Sequence, residues 1–494
     1  MTQESVPKSN HDVEEYMTKR IGIGKSFDVG VRQLLVLKTN VQLYYVNGLV
    51  DSVMITKMIE ELVEINDNEW ANKRNIAKII ENRLLNIQVE KVETMDEAVD
   101  QVLTGLVSIF IDGIKYAIIV DVRSYPGRTP EEPDTERVIR GSRDGFTENI
   151  IENTGLTRRR IKDERLRNEM HTVGERSKTD VCISYLQDVA DNHFIDFVKQ
   201  KISEIETDGI PMADKTLEEF IMGGKWSPFP MVRYTERPDV ASKHLMDGHV
   251  LLFVDTSPTV IILPTTYINC LEHAEEYRQA PAVGTFIRWI RLIAILGSLF
   301  ILPLWLLFVM DPSLLPPQLS FIGPNEEGNV PIFIQIILGL IGVEFLRMAA
   351  VHTPTPLATA MGLIAAVLIG QIAIDVGLLS PEVILYLALS TIGSYVTPSY
   401  EVSIGNKITT FFLVILTALF GVPGFMIGTL IFILYLVNLK AFNTPYLWPF
   451  IPFDLTAMFR FIVRVPVPLV NNRPSIVHPK NVYSQPLQKR GRNK

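Results

Sequence analysis

Between Leu292 and Leu439 the chain has only two basic residues, Arg347 and Lys407, and seven acidic ones, set in long runs of Leu, Ile, Val, Phe and Ala. No other feature constrains the fold as strongly. A backbone in hydrocarbon has no water to bond, so such runs form membrane helices of about 20 mostly apolar residues each. Six segments fit, at roughly 290–310, 331–350, 357–376, 381–398, 406–421 and 424–440. Gly421-Val422-Pro423-Gly424 splits the last apolar run into a tight helical hairpin. Trp289 and Trp305 suit interfacial belts, and loop charge gives the orientation. Arg288 and Arg291 precede the first segment, the 311–330 loop has no Lys or Arg, and the chain ends in the basic QKRGRNK. Each loop agrees with an even number of crossings and both termini in the cytoplasm.

Polar residues in this region are costly unless paired or hydrated, so each is a candidate functional group. Glu344 and Arg347 stand i,i+3, close enough to pair. Leu357–Ile374 is free of charge and carries Ala358, Gly362, Ala366 and Gly370 at every fourth position. That spacing predicts a seam where a neighbouring helix approaches closely. Gln371 and Asp375 lie off the seam, which makes Gln371 a candidate for the outer end of a permeation path. Asp375 would favour cations there. Helix packing and an interfacial clamp account for the same residues without a pore.

The first 290 residues read as ordinary charged, soluble protein. Their organisation is expected as a flexible 1–26, an α/β or α+β subdomain over 27–170 and a second subdomain over 171–284. A transmembrane domain over 285–440, an interfacial segment over 441–470 and a disordered basic tail over 471–494 complete the chain. The fold class is thus multidomain, a cytoplasmic α/β or α+β region of two subdomains before an all-α polytopic bundle. Val31–Leu37 and Val41–Val46 read as strands and Ser52–Ile65 as an amphipathic helix. Asp112-Gly113 between two apolar runs signals a hairpin. GIGKS at Gly22–Ser26 is not a phosphate-binding loop, since that pattern needs glycine at position 19, which is Lys19. The N-terminus lacks the apolar core of a signal peptide. Cys182 and Cys270 have no metal-like spacing and suit a reducing compartment.

The stretch from Arg137 to Arg167 is crowded with arginines interleaved with acids. With a net charge of −8, this argues against nucleic acid as a partner. Arg suits paired interfaces, so an ion-pair lattice at a domain or subunit contact is expected, with Arg158, Arg159 and Arg160 as subunit-interface candidates. Thr235-Glu236-Arg237-Pro238-Asp239 reads as a buried structural turn. After Lys440, TPYLWPFIPFDLTAMFRFIVRVP is apolar but too broken by proline to span. It is expected along the inner membrane surface, with Arg460 and Arg464 toward lipid head groups.

Across about residues 27–470 the chain resembles the A-subunits of spore germinant receptors, the GerA type. The resemblance rests on RGSRDGF at Arg140–Phe146, RRRIKDERL at Arg158–Leu166, SPFP at Ser227–Pro230, TERPD at Thr235–Asp239 and the DTSPTVIILP turn. It extends to Glu344–Arg347, to GQIAID at Gly370–Asp375 and to PYLWPFIP after the last helix. Receptor subunits carry an acid directly after the arginine; Met348 stands there in this chain, which favours a sporulation-specific branch. The resemblance implies the inner membrane of a bacterial spore and an oligomeric, pentameric ion channel. It also implies partnership with other spore membrane germination proteins.

A channel-forming subunit that takes part in ion release is therefore the leading reading. A secondary transporter would show internal repeats in the membrane, and none is legible between the halves of the apolar region. An enzyme is not expected, because no HExxH, GxSxG or paired-Cys pattern occurs. No cofactor or metal is called for. A non-conducting scaffold in a germination complex is the remaining alternative.

Overall fold

Val13, Met17 and Ile21 recur on one helical face, and in the computed structural model they are the buried stripe of α1 (Asn10–Ile21). Ser9 caps this helix, and its buried stripe joins the core of the first sheet. The N-terminal segment, expected to be flexible, is ordered over these residues because the stripe has a core to enter. Residues 4–67, 76–84, 89–124, 133, 136–323, 329–352, 362–364 and 366–485 are described by the structure.

β1 (Val29–Val36) and β2 (Thr39–Val46) pair as a hairpin, followed by α2 (Ser52–Glu64) and α3 (Ile76–Arg83). Then come β3 (Val89–Val92), α4 (Met95–Leu103), β4 (Val107–Ile111) and β5 (Ala117–Val120). The sheet order is β1-β2-β4-β5-β3 with every neighbouring pair antiparallel. After α5 (Ile150–Arg160) the scheme repeats. The second copy contains β6 (Leu166–Val173), β7 (Thr179–Leu186), α6 (Asn192–Ser203), α7 (Ala213–Met222) and β8 (Arg233–Thr235). α8 (Pro238–Asp247), β9 (Val250–Val254) and β10 (Val260–Leu263) complete it. Its order is β6-β7-β9-β10-β8, again antiparallel throughout.

The two copies agree residue by residue where geometry demands it. Asp51 caps α2 and Asp191 caps α6, each accepting from the helix's first free N–H groups. Gly105 and Gly248 end α4 and α8 at φ +94 and +107, a region that favours glycine. Phe110 and Phe253 hold equivalent places on the following strands, each in an edge-on contact at 5.6 Å, with Tyr44 and Phe146 respectively. The soluble region is thus a tandem α+β duplication, and β6 crosses the expected 170/171 boundary.

Two compact units emerge. The first comprises Met1–Lys225, Val232–Pro264 and Val467–Lys494; the second comprises Trp226–Met231 and Thr265–Pro466. The expected disordered tail is, over 471–485, part of the first unit. Ile476 and Val477 are buried, Arg473 Nε donates to Met246 O at 2.6 Å, and Lys480 Nζ donates to Gln187 O at 2.8 Å. Residues 486–494 lie outside the described residues.

The second unit begins with α9 (Tyr267–Leu271), α10 (Ala274–Arg278), α11 (Pro281–Met310) and α12 (Ile332–His352). A π-helical segment, Ala366–Ile372, runs into Ala373–Asp375. α13 (Pro381–Tyr395), α14 (Tyr400–Asn438) and α15 (Leu455–Ile462) follow. Among the described residues three helices are long and apolar enough to cross a membrane: α11, Ile332–Val351 of α12, and α14. α14 breaks at Gly421 (φ 61, ψ −134), and a Cβ on Gly424 would lie 2.0 Å from Leu416 O. An unbroken helix would put positions 416 and 424 about 12 Å apart, so the chain folds back as the Gly-Val-Pro-Gly sequence implies. α13 has 15 residues and reaches about 22 Å, short of a bilayer core of about 30 Å. Much of the 357–376 segment lies outside the described residues.

Candidate functional site

The helices of the second unit pack through small residues. A Cβ on Gly393 of α13 would meet Ala294 O of α11 at 2.4 Å, and one on Gly339 of α12 would meet the Leu387 side chain at 2.6 Å. These contacts bring hydroxyl-bearing faces of α11, α13 and α14 together in the interior. Ser390 Oγ donates to Ser298 O at 2.9 Å, and Thr410 Oγ1 to Asn406 O at 3.0 Å. Ser394 Oγ donates to Thr391 O at 2.7 Å and Ser298 Oγ to Ile295 O at 2.7 Å. With their protons turned to backbone carbonyls, these hydroxyls leave acceptor lone pairs available.

They line a small cavity together with Leu340, Val343, Thr391, Glu344 and Lys407. Glu344 and Arg347, one turn apart on α12, form an ion pair at 2.5 Å. The other carboxylate oxygen of Glu344 takes Lys407 Nζ of α14, also at 2.5 Å. Arg347 lies 5.0 Å from the Tyr400 ring centroid and Lys407 5.4 Å from that of Tyr395, within cation–π range. The cluster holds two cations and one carboxylate, a net positive charge inside an apolar helical unit, and buried Arg347 Nε has no acceptor among the described residues. Lys407 is the partner that spacing alone did not reveal. Its signal was its isolation, as one of two bases across the apolar region.

The other candidates stand apart from this cluster. Gln371 and Asp375 are both exposed, Gln371 inside the π-helical segment. A π-turn shifts side chains relative to α spacing, so the straight seam expected from every fourth residue does not run through Ala366–Ile372. No described residue comes within 4 Å of where a Cβ would sit on Gly362 or Gly370. Ala366 lies in the π-helical segment, and Ala358 lies outside the described residues.

In the soluble unit the arginines divide sharply. Arg158 is 1% exposed and donates through Nε and Nη2 to Asp28 Oδ2 at 3.1 and 3.0 Å. Asn168 Nδ2 reaches the same oxygen at 3.0 Å, so this network ties the first sheet region to the second. Arg158 is therefore unavailable to a neighbouring subunit, because its charge is spent on a buried carboxylate. Arg160 pairs with Asp144 at 2.6 Å, and Arg159 is exposed. Arg237 of the TERPD turn is fully buried. It binds Asp239 and donates to Ser142 O at 2.9 Å and Glu136 O at 3.2 Å, which fixes the RGSRDGF loop. Among the described residues no group of His, Cys, Asp and Glu has the arrangement of a metal site.

Residues 15–476 match the family model described as Bacillus/Clostridium GerA spore germination protein. The chain belongs to the GerA family. It is 57% identical to stage V sporulation protein AF of Bacillus subtilis, over 96% of each chain. It is 28% identical to spore germination protein KA of the same organism, over 94% of this chain and 86% of the other. Spore germination protein A1 is 29% identical over 88% and 89%. Among solved structures, the N-terminal domain of the A subunit of the Bacillus megaterium spore germinant receptor GerK3 aligns at 23% identity and TM-score 0.42. That alignment covers 53% of this chain and 97% of the other. This GerA-family chain is a spore germination membrane protein whose α+β region precedes a helical one.

Proposed function

We propose that this GerA-family protein is a subunit of an oligomeric channel in the inner spore membrane that takes part in ion release during germination. One observation carries the reading: Glu344, Arg347 and Lys407 meet beside a hydroxyl-lined cavity within an apolar helical unit. Charges set among apolar helices are candidates for ion pathways or gates, because a purely structural contact is made at lower cost by apolar residues. Orientation has its own support. The second unit connects at both ends, near 264 and 466, to one soluble unit. With both connections on one side the crossings are even in number, and the loop charges favour the cytoplasm for that side and for both termini. Exposed Gln371 and Asp375 and the open faces of Gly362 and Gly370 suit contact with a neighbouring copy, a pentameric ring being the assembly proposed. Other germination membrane proteins are the further partners.

The test is conductance of the purified full chain in a planar bilayer. Unitary current steps are expected, with Lys407→Gln altering their size or frequency and Asp375→Asn lowering cation preference. Coupled flux without steps would favour a transporter, and silence in an assembled sample a scaffold.

A further inference from the structure

The segment after α14 builds an apolar face that no described residue covers, at a defined depth. Asp454 caps α15 by accepting from Thr456 N and Ala457 N, both at 3.0 Å. Met458 and Phe461 turn inward against Ile268, Leu271, Ile295 and Val402. Leu455, Phe459 and Ile462, at i, i+4 and i+7, form the opposite face and are exposed, as are Phe450, Ile451 and Phe453 just before the helix. Phe453 and Leu455 are 67% and 71% exposed. This helix cannot roll to hide that face. Arg288 Nη1 of α11 donates to Arg460 O at 2.6 Å and Phe461 O at 2.9 Å, and Trp289 Nε1 donates to Ile462 O at 2.8 Å. These donors occupy the carbonyls that a helix C-terminus leaves free and place a cation at its negative end. Arg288 is itself locked to the buried Glu276 at 2.5 Å.

The staple also sets the depth. α11 is free of charge from Leu292 to Met310, about 28 Å of helix, close to one hydrocarbon core. Trp289 then falls just outside the core, in the layer where tryptophan concentrates, and the end of α15 is bonded to it. On α11 Phe286, Trp289, Ile290 and Ile293 are exposed as well, and Trp289 is the residue bonded to the end of α15.

We infer that Phe450–Ile462 is an interfacial anchor whose Phe453, Leu455, Phe459 and Ile462 enter the boundary between head groups and acyl chains, the occupant of this face being lipid. Arg464, expected toward head groups, instead faces inward, with Nη2 donating to Tyr277 O at 3.0 Å, so the anchor holds the bilayer by apolar area. The inference rests on α11 crossing the membrane and not on conduction, so a silent channel leaves it untouched.

The test uses the full chain in lipid nanodiscs. Cys182 and Cys270 are buried, which leaves a fluorescent label free to report from Phe453→Cys, from Phe459→Cys, or from Glu206→Cys as a soluble-unit control. A nitroxide near the head of the acyl chain is expected to quench the two anchor labels roughly threefold more than the control. Aqueous iodide is expected to do the reverse. Iodide quenching of the anchor labels equal to the control would overturn the inference, because the face would then meet water. Protection from both quenchers would overturn it too, with protein, such as a second copy, covering the face.

Discussion

Arg158 and Asp28 show how burial changes what a charge can do. Arg158→Gln leaves the Asp28 carboxylate buried without its cation, and removing one partner of a buried pair costs about 3–5 kcal/mol. We expect that loss in thermal unfolding of the purified chain, against less than about 0.5 kcal/mol for Arg159→Glu at an exposed position. Equal effects from the two would refute the buried network. His249 supplies a pH dependence. Burial pushes its pKa down from 6.5 to about 4, and Nδ1 faces Pro264 O at 2.9 Å. That carbonyl only accepts, so the proton sits on Nδ1 and the ring is neutral. His244, 4.9 Å away, is likewise held well below its ordinary value, first by burial and then by Arg233. Asp247 favours the charged form of His249, and Lys243 and Arg233 oppose it. Because the unfolded chain takes up protons first, the contribution is complete above pH 6.5 and shrinks as pH falls toward 4. For His249 it amounts to roughly 3 kcal/mol. Denaturant midpoints of the first unit should fall across that window in the native chain and less steeply in His249→Asn. The partner of Arg158 is not legible in the sequence, since Asp28 lies 130 residues away, and nothing local marks His249 as buried against Pro264 O.

At the level of elements, close helix contacts in the second unit include those at Gly393 and Gly339, and among the described residues none forms at Gly362 or Gly370. Gly393→Val forces side-chain atoms against Ala294 O, and overpacking of this kind costs about 1–3 kcal/mol. Lower thermal stability of the detergent-solubilised chain is the expected result. At Gly370 a Cβ meets no described residue of the chain. If Gly370→Leu shrinks the assembly by native mass analysis without lowering monomer stability, a neighbouring copy covers that face; no change in mass would remove Gly370 from any subunit contact. Fourth-residue spacing presumes an α-helix, and Ala366–Ile372 is π-helical, so the sequence spacing does not carry over to that stretch. The strands and hairpins were legible because their apolar alternation and turn residues are local. Asp112-Gly113 sits between β4 and β5 as its sequence implies.

For the whole molecule, orientation is the first thing to measure. On the background of two buried cysteines, Ser313→Cys should react with an impermeant thiol reagent from outside, and Asn471→Cys only after permeabilisation; reversed labelling would invert the topology. Class and order were fixed by sequence alone: a charged region, a membrane region marked by its lack of charge, and a fold-back at Gly421-Val422-Pro423-Gly424. Hydropathy, turn chemistry and capping act within a few residues, so they are readable without knowing the fold. The tandem duplication is not legible in the sequence because the copies share few residues beyond capping, turn and core positions such as Asp51 and Asp191, or Gly105 and Gly248. A sheet tolerates most other apolar exchanges. The tertiary structure alone decided that Lys407 completes the Glu344 pair, that Arg158 is a core residue, and that residues 471–485 return to the soluble unit. Each depends on contacts between segments far apart in the chain, where a charge or an apolar side chain finds its partner only after the intervening elements have folded.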